Sequence, residues 1–196
     1  MTTLIKAHIT LKGTSDLLMH SERLVNSFDP IVKQIKEYTG KRKKTEEDQL
    51  MVSRLEWEAG LYWSDQTGPY IPGANLKKCV QEAAKMDKGG KNVLRGLTPL
   101  DAEIPLVYKG PRDIETMWAS NDFVDVRSVS AGAPGRKVLR TRPRFKNWGL
   151  ETLMYINTQI IDIDDFKRWV EVAGVMCGLG DYRPTFGRFI GSVKFE

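Results

Sequence analysis

Residues 4–12 alternate apolar and polar positions without a break, with Ile5, Ala7, Ile9 and Leu11 on one side and Lys6, His8, Thr10 and Lys12 on the other. A period of two predicts a half-buried strand. Residues 27–38 switch to a helical period, with Ile31 and Ile35 on one face, Asp29 at the N-cap and Pro30 at the first helical position. A basic run at 41–44 ends that helix, and Thr45 caps the next, whose first turn is acidic. The acids right after the basic run predict a salt-bridge cluster at that helix start. Residues 68–86 predict a Pro-Gly turn followed by a helix with Asn75 as N-cap. Its stripe is Leu76, Cys79, Val80, Ala83 and Ala84. Residues 87–113 are loop-rich with room for one short strand, and 123–145 form two β-patterned arms around a Gly-Ala-Pro-Gly turn. Residues 151–161 are β-rich, and 162–177 are helical with Phe166, Trp169, Val170, Ala173 and Cys177 inward. Residues 178–187 are a glycine loop, and 188–195 close as a strand.

Strands mixed with two main helices predict an α+β fold, a sheet with helices on one face, for which the split βαβ, ferredoxin-like arrangement is the common small solution. The chain reads as a single domain over 1–196, with a helical insertion at 21–68 and a projecting basic β-hairpin at 123–146. Pro143 cannot donate a ladder bond, which predicts an edge or free-standing strand for the second arm.

Charge sharpens this picture. From Phe123 to Leu150 there are seven cations (Arg127, Arg136, Lys137, Arg140, Arg142, Arg144 and Lys146) and one acid, Asp125. That segment carries +6, the whole chain +5, and so the remainder −1. Arg140, Arg142 and Arg144 fall at every second position, so an extended backbone puts them on one face, with Leu139 and Phe145 on the other. Adjacent like charges repel, and an anionic ligand such as phosphate relieves the penalty. The expected partner is a polyanion, single-stranded nucleic acid.

Two further stretches offer phosphate contacts. The helix start at Asn75, Lys77 and Lys78 is an anion-accepting geometry. The glycine loop brings Gly180 close to a backbone, with Arg183 and Arg188 beside it and Tyr182, Phe186 or Trp148 to stack on bases. The two cysteines, Cys79 and Cys177, read as core thiols, and no zinc spacing, nucleophile elbow or P-loop is present. No metal or cofactor is expected. No apolar run approaches the ~18 residues of a membrane span, so no membrane partner and a cytoplasmic location are expected.

The stretch Tyr-Ile-Pro-Gly-Ala-Asn-Leu-Lys-Lys-Cys-Val-Gln-Glu-Ala (70–83) resembles the helix-start signature of the RAMP superfamily, the repeat-associated proteins of CRISPR systems. Residues 178–189 resemble that superfamily's glycine-rich loop, and residues 9–20 its first strand and turn. The resemblance is greatest to the backbone subunits that polymerise along a guide RNA. It implies an RRM-type core of the RAMP kind, with residues 123–146 as a thumb-like hairpin. It also implies non-catalytic binding of single-stranded RNA in preference to DNA, homo-oligomers or filaments along the strand, and CRISPR-type subunits as partners. One alternative is a metal-independent endoribonuclease, since some such subunits use an aspartate after the first strand; Asp29, with His20 nearby, is the candidate. Another is a phage-encoded inhibitor that mimics a backbone subunit.

Overall fold

The computed structural model describes residues 4–130 and 137–196. In chain order the elements are β1 (Leu4–Gly13), β2 (Leu17–Leu18), α1 (Pro30–Gly40), α2 (Glu46–Gly60), β3 (Trp63–Ser64), β4 (Gly68–Pro72), α3 (Gly73–Lys85) and α4 (Gly90–Gly96). They continue with β5 (Leu97–Pro99), β6 (Glu103–Pro105), α5 (Ile114–Ala119), β7 (Val124–Ser130), β8 (Lys137–Phe145), β9 (Gly149–Asn157), α6 (Ile163–Val172) and β10 (Phe189–Phe195). The chain divides into two compact units, one of residues 1–17, 63–109 and 146–196, the other of 18–62 and 110–145.

The first unit is built on a four-stranded antiparallel sheet in the order β10-β1-β9-β5. With α3 between β1 and β5, and α6 between β9 and β10, this is a βαββαβ chain with spatial strand order 4-1-3-2, the ferredoxin-like arrangement. The α+β, ferredoxin-like fold expected from the sequence is therefore present. Ala7, Ile9 and Leu11 of β1 are buried, as the alternation requires. They share the core with Leu76, Cys79, Val80 and Ala83 of α3 and Phe166, Trp169 and Val170 of α6. Asp162 caps α6, accepting from the amides of Asp164 (2.8 Å) and Asp165 (3.2 Å). A single π turn, Ala173–Cys177, leads from α6 into the glycine loop.

Two expectations in this unit need correction. The helix after the Pro-Gly pair starts at Gly73, with Pro72 at its N-cap, so Asn75 lies inside α3. The preceding residues form β4, paired with β6, and the Gly73 amide donates to the Ala102 carbonyl at 3.0 Å. That long-range bond satisfies a first-turn donor and starts the helix early. Residues 90–96, read as loop, form α4. The paired glycines argue locally against a helix, yet a Cβ on Gly89 would lie 2.2 Å from the Trp169 ring. Close packing of that turn on α6 requires glycine there.

The second unit holds α1, α2, α5 and the β7–β8 hairpin. Asp29 caps α1, accepting from Ile31 (2.8 Å) and Val32 (3.4 Å), with Pro30 at the first helical position. Thr45 and Asp48 form a reciprocal capping box on α2, and Lys41 binds Asp48 at 2.6 Å, so the basic run feeds a capping cluster as read. The core of this unit includes Trp57, Met117, Phe123 and Phe145, all buried. The Trp57 indole donates to the Phe123 carbonyl at 2.8 Å, and Phe123 and Phe145 meet edge-on at 5.8 Å.

The hairpin departs from the expected edge strand. Along β8's other side, the Met19 amide donates to the Pro143 carbonyl at 3.0 Å, so β8 is central in the order β2-β8-β7. Pro143 is accommodated because it still offers its carbonyl to that side. The strict inward–outward alternation also fails. Thr141, Arg142 and Pro143 are all buried, while Leu139 is 67% exposed. The half of β8 nearest α2 is covered on both faces, and the distal half has little to pack against. Period two holds in the backbone register, but tertiary cover decides burial.

Candidate functional site

In the hairpin register Arg127 stands opposite Arg140, and Asp125 opposite Arg142. All four, with Arg144, project to one face. What lies against the arginines in this structure is carboxylate and carbonyl oxygen. Asp125 accepts from both Nε (2.6 Å) and Nη2 of Arg127. Arg140 pairs with Glu56 of α2, whose second oxygen accepts the Thr141 amide at 3.2 Å. Arg144 donates to the carbonyls of Asn121 and Asp122, both at 3.2 Å. Arg142 is only 8% exposed. The expectation that these arginines form a face off the core is therefore corrected. The acid that balances Arg140, Glu56, sits 84 residues away in sequence, beyond the reach of local charge counting, whereas Asp125 lies on the same strand as Arg127 and inside the counted segment. Lys137 and Lys146 are exposed, and Arg136 lies outside the described residues.

Glu56 had a legible signal. Asp48, Leu55, Glu56 and Ala59 are all buried on α2, so a glutamate occupies the buried stripe of an otherwise amphipathic helix. A charge in such a place is kept there by a partner. Beside it lies a cavity of about 300 Å³. Leu24, Val25, Val32 and Ile35 supply its aliphatic lining, from α1 and the 3-10 turn before it. His20, Lys36, Glu56, Arg140 and Arg142 supply its polar lining. Asp29 is not among these residues. Burial works to raise its pKa, but the Arg23 guanidinium at 2.7 Å and the Ile31 and Val32 amides outweigh it and hold the carboxyl below its usual value. Its oxygens serve the cap and Arg23, which is the structural role the Asp-Pro pattern indicated.

In the first unit the glycine loop is closed on itself. The Leu179 amide donates to the Gly187 carbonyl at 2.8 Å, and the Gly187 amide to the Asp16 carbonyl at 2.8 Å. Gly187 has φ +72°, and a Cβ there would lie 1.7 Å from the Leu179 carbonyl oxygen. Glycine is required at this crossing for the chain's own contacts. The closed loop displays Tyr182, Arg183 and Arg188 to solvent, with Phe186 half-buried and edge-on to Tyr182 at 5.9 Å. Gly180 is partly exposed at φ +81°. The Arg188 amide is held by the Ser15 hydroxyl at 2.9 Å and its carbonyl accepts from Thr14 at 2.8 Å, so the turn after β1 braces the loop.

Other expected contacts are placed differently. Trp148 is 1% exposed, packs on Phe189 and donates to the Ser15 carbonyl, so it is a core residue and not a stacking platform. Lys77 donates to the Leu94 carbonyl at 3.0 Å and Lys78 pairs with Glu82 at 3.2 Å, so both serve the surface of α3. Cys79 is buried, its thiol donates to the Gly178 carbonyl, and burial pushes its pKa up to about 12. Among the described residues no helix is long and apolar enough to cross a membrane.

No family model matches the chain, and no curated protein matches it. Its fold has a relative among solved structures. The chain is similar to one in a cryo-EM structure of the Type III-B Cmr-beta bound to cognate target RNA, with TM-score 0.54 and 10% identity. The match covers 98% of this chain and 60% of that one, so this chain spans about three fifths of its neighbour's length. At that identity the likeness is one of fold. It supports the α+β fold described above and nothing finer.

Proposed function

We propose that the protein binds single-stranded RNA without cutting it, and that several copies align along one strand as RAMP backbone subunits do. The observation that carries this reading is the shared fold. Nearly the whole chain superposes on part of a protein solved with target RNA in place. The glycine loop supplies local support, since Arg183 and Arg188 present exposed guanidiniums beside Tyr182 on a braced, stiff backbone. Guanidinium forks match phosphate oxygens, and an aromatic face stacks on any base. The hairpin's exposed Lys137 and the neighbouring Lys146 add cations, while Arg127 and Arg140 are largely engaged by Asp125 and Glu56.

Anisotropy titrations of labelled single-stranded RNA across a salt series test this. Each neutralised phosphate contributes about −0.7 to the slope of log K against log salt for a single strand. Arg183→Ala with Arg188→Ala is expected to weaken binding and flatten the slope by about 1.4. Light scattering on oligonucleotides of increasing length is expected to show stepwise growth in mass. Absence of RNA binding, or affinity indifferent to salt, refutes the proposal.

A further inference from the structure

We propose that the cavity beside Glu56 is a binding site for a single nucleoside monophosphate. At about 300 Å³ it stands at the lower end of small-molecule pockets, which run from about 300 to 1,000 Å³. Its lining is divided chemically. Leu24, Val32 and Ile35 offer aliphatic surface to a flat apolar face, while Glu56, Arg140 and Lys36 offer charge. With Arg142, three cations and one carboxylate face the same space, which favours an anionic ligand. Val25 also lines it yet is 83% exposed, an apolar side chain that a ligand would cover.

Glu56 gives the site its selectivity. One carboxylate oxygen meets the Arg140 guanidinium and the other the Thr141 amide. An ionised carboxylate has about four lone-pair sites and donates nothing, so each oxygen can accept once more. A buried acceptor beside aliphatic walls suits a ring that is apolar on its faces and carries N–H groups along its edge. Guanine, cytosine and adenine have an exocyclic amine for it. Uracil sets carbonyl oxygens on either side of its one ring N–H and is disfavoured. Exposed Lys36 then takes the phosphate. The choice of a nucleotide among amphiphilic anions rests on the RNA-binding reading. The nucleotide's source is either the free pool or the end of a bound strand.

Isothermal titration of the full chain with GMP, CMP, AMP, UMP and ribose 5-phosphate tests the site. GMP is expected to bind saturably at one site per chain, and UMP about tenfold or more weakly, as for loss of a base-edge contact. Ribose 5-phosphate is expected to show no binding. Ile35→Trp, which fills the cavity, is expected to abolish binding, and Lys36→Glu to weaken it about tenfold with unchanged Tm. If Ile35→Trp fails to fold, the exposed Lys36→Glu variant decides, and unchanged GMP affinity there overturns the assignment. Absence of saturable nucleotide binding to folded wild-type protein overturns it too. Competition between GMP and a 5′-phosphorylated RNA assigns the site to the strand end, and its absence assigns it to free nucleotide. RNA binding without GMP binding removes this site alone, and GMP binding without RNA binding removes the RNA proposal alone.

Discussion

Replacing Arg140 by glutamate sets two carboxylates against each other where Glu56 is only 7% exposed. The native pair brings opposite charges into contact, and the Thr141 amide at 3.2 Å locks the Glu56 carboxylate to β8. At an effective dielectric near 20, unit charges about 4 Å apart interact by about 4 kcal/mol. Breaking a buried pair by removing one partner costs about 3–5 kcal/mol. The Arg140 side chain is 46% exposed, so solvent screens it and the cost falls to the bottom of that range or below, roughly 2–3 kcal/mol. For a chain of 196 residues, each kcal/mol moves Tm by about 2–4 °C, so a fall of roughly 4–12 °C is expected. Thermal melts by circular dichroism read this directly. The charge swap, Arg140→Glu with Glu56→Arg, is expected to recover part of the loss, which neither single variant does. An unchanged Tm for Arg140→Glu, together with lost RNA affinity, refutes the structural assignment and returns Arg140 to the role of a solvated phosphate ligand.

Phe145→Ala is expected to cost about 3–5 kcal/mol, since the ring is fully buried against Phe123. Leu139→Ala, six residues before it, is expected to stay within about 0.5 kcal/mol; equal losses in denaturant unfolding would contradict the half-covered hairpin. Gly187→Ala is expected to lower stability by roughly 2–4 kcal/mol, from positive φ and the clash with the Leu179 carbonyl, and a neutral result would contradict the closed loop. Asp87 accepts from the Trp169 indole (2.8 Å) and Arg168 (2.6 Å); the indole bond first and then the guanidinium hold its pKa below the ordinary value, against burial. The unfolded chain therefore takes up that proton first, so this contribution is intact above about pH 4 and lost as pH falls through the lower folded value. Asp87→Asn is expected to flatten the acid limb of Tm against pH, and an unaltered limb refutes it.

The elements legible in the sequence are those whose causes are local. β1 shows a period of two because one face packs on helices, and Ala7, Ile9 and Leu11 are buried accordingly. The Asp29 and Thr45 caps lie within three residues of the amides they bind, so spacing alone locates two helix starts. The glycine loop is likewise visible, and its display of Tyr182, Arg183 and Arg188 follows from it. Where the outcome turned on a distant partner, local pattern misled. Gly73 starts α3 early through the Ala102 carbonyl, and α4 exists because Gly89 fits under Trp169.

The arginine face shows the division most clearly. The sequence by itself determined that Arg140, Arg142 and Arg144 share a side of one strand, because backbone geometry enforces a period of two. It also determined the α+β class and the order of elements that closes as a 4-1-3-2 sheet. Only the tertiary structure decided what those arginines meet. Glu56 reaches Arg140 from a helix far back in the chain, the Asn121 and Asp122 carbonyls take Arg144, and Arg142 is covered. Charge is a property of composition, but its neutralisation is a property of distance in space, and no local window of residues contains that distance.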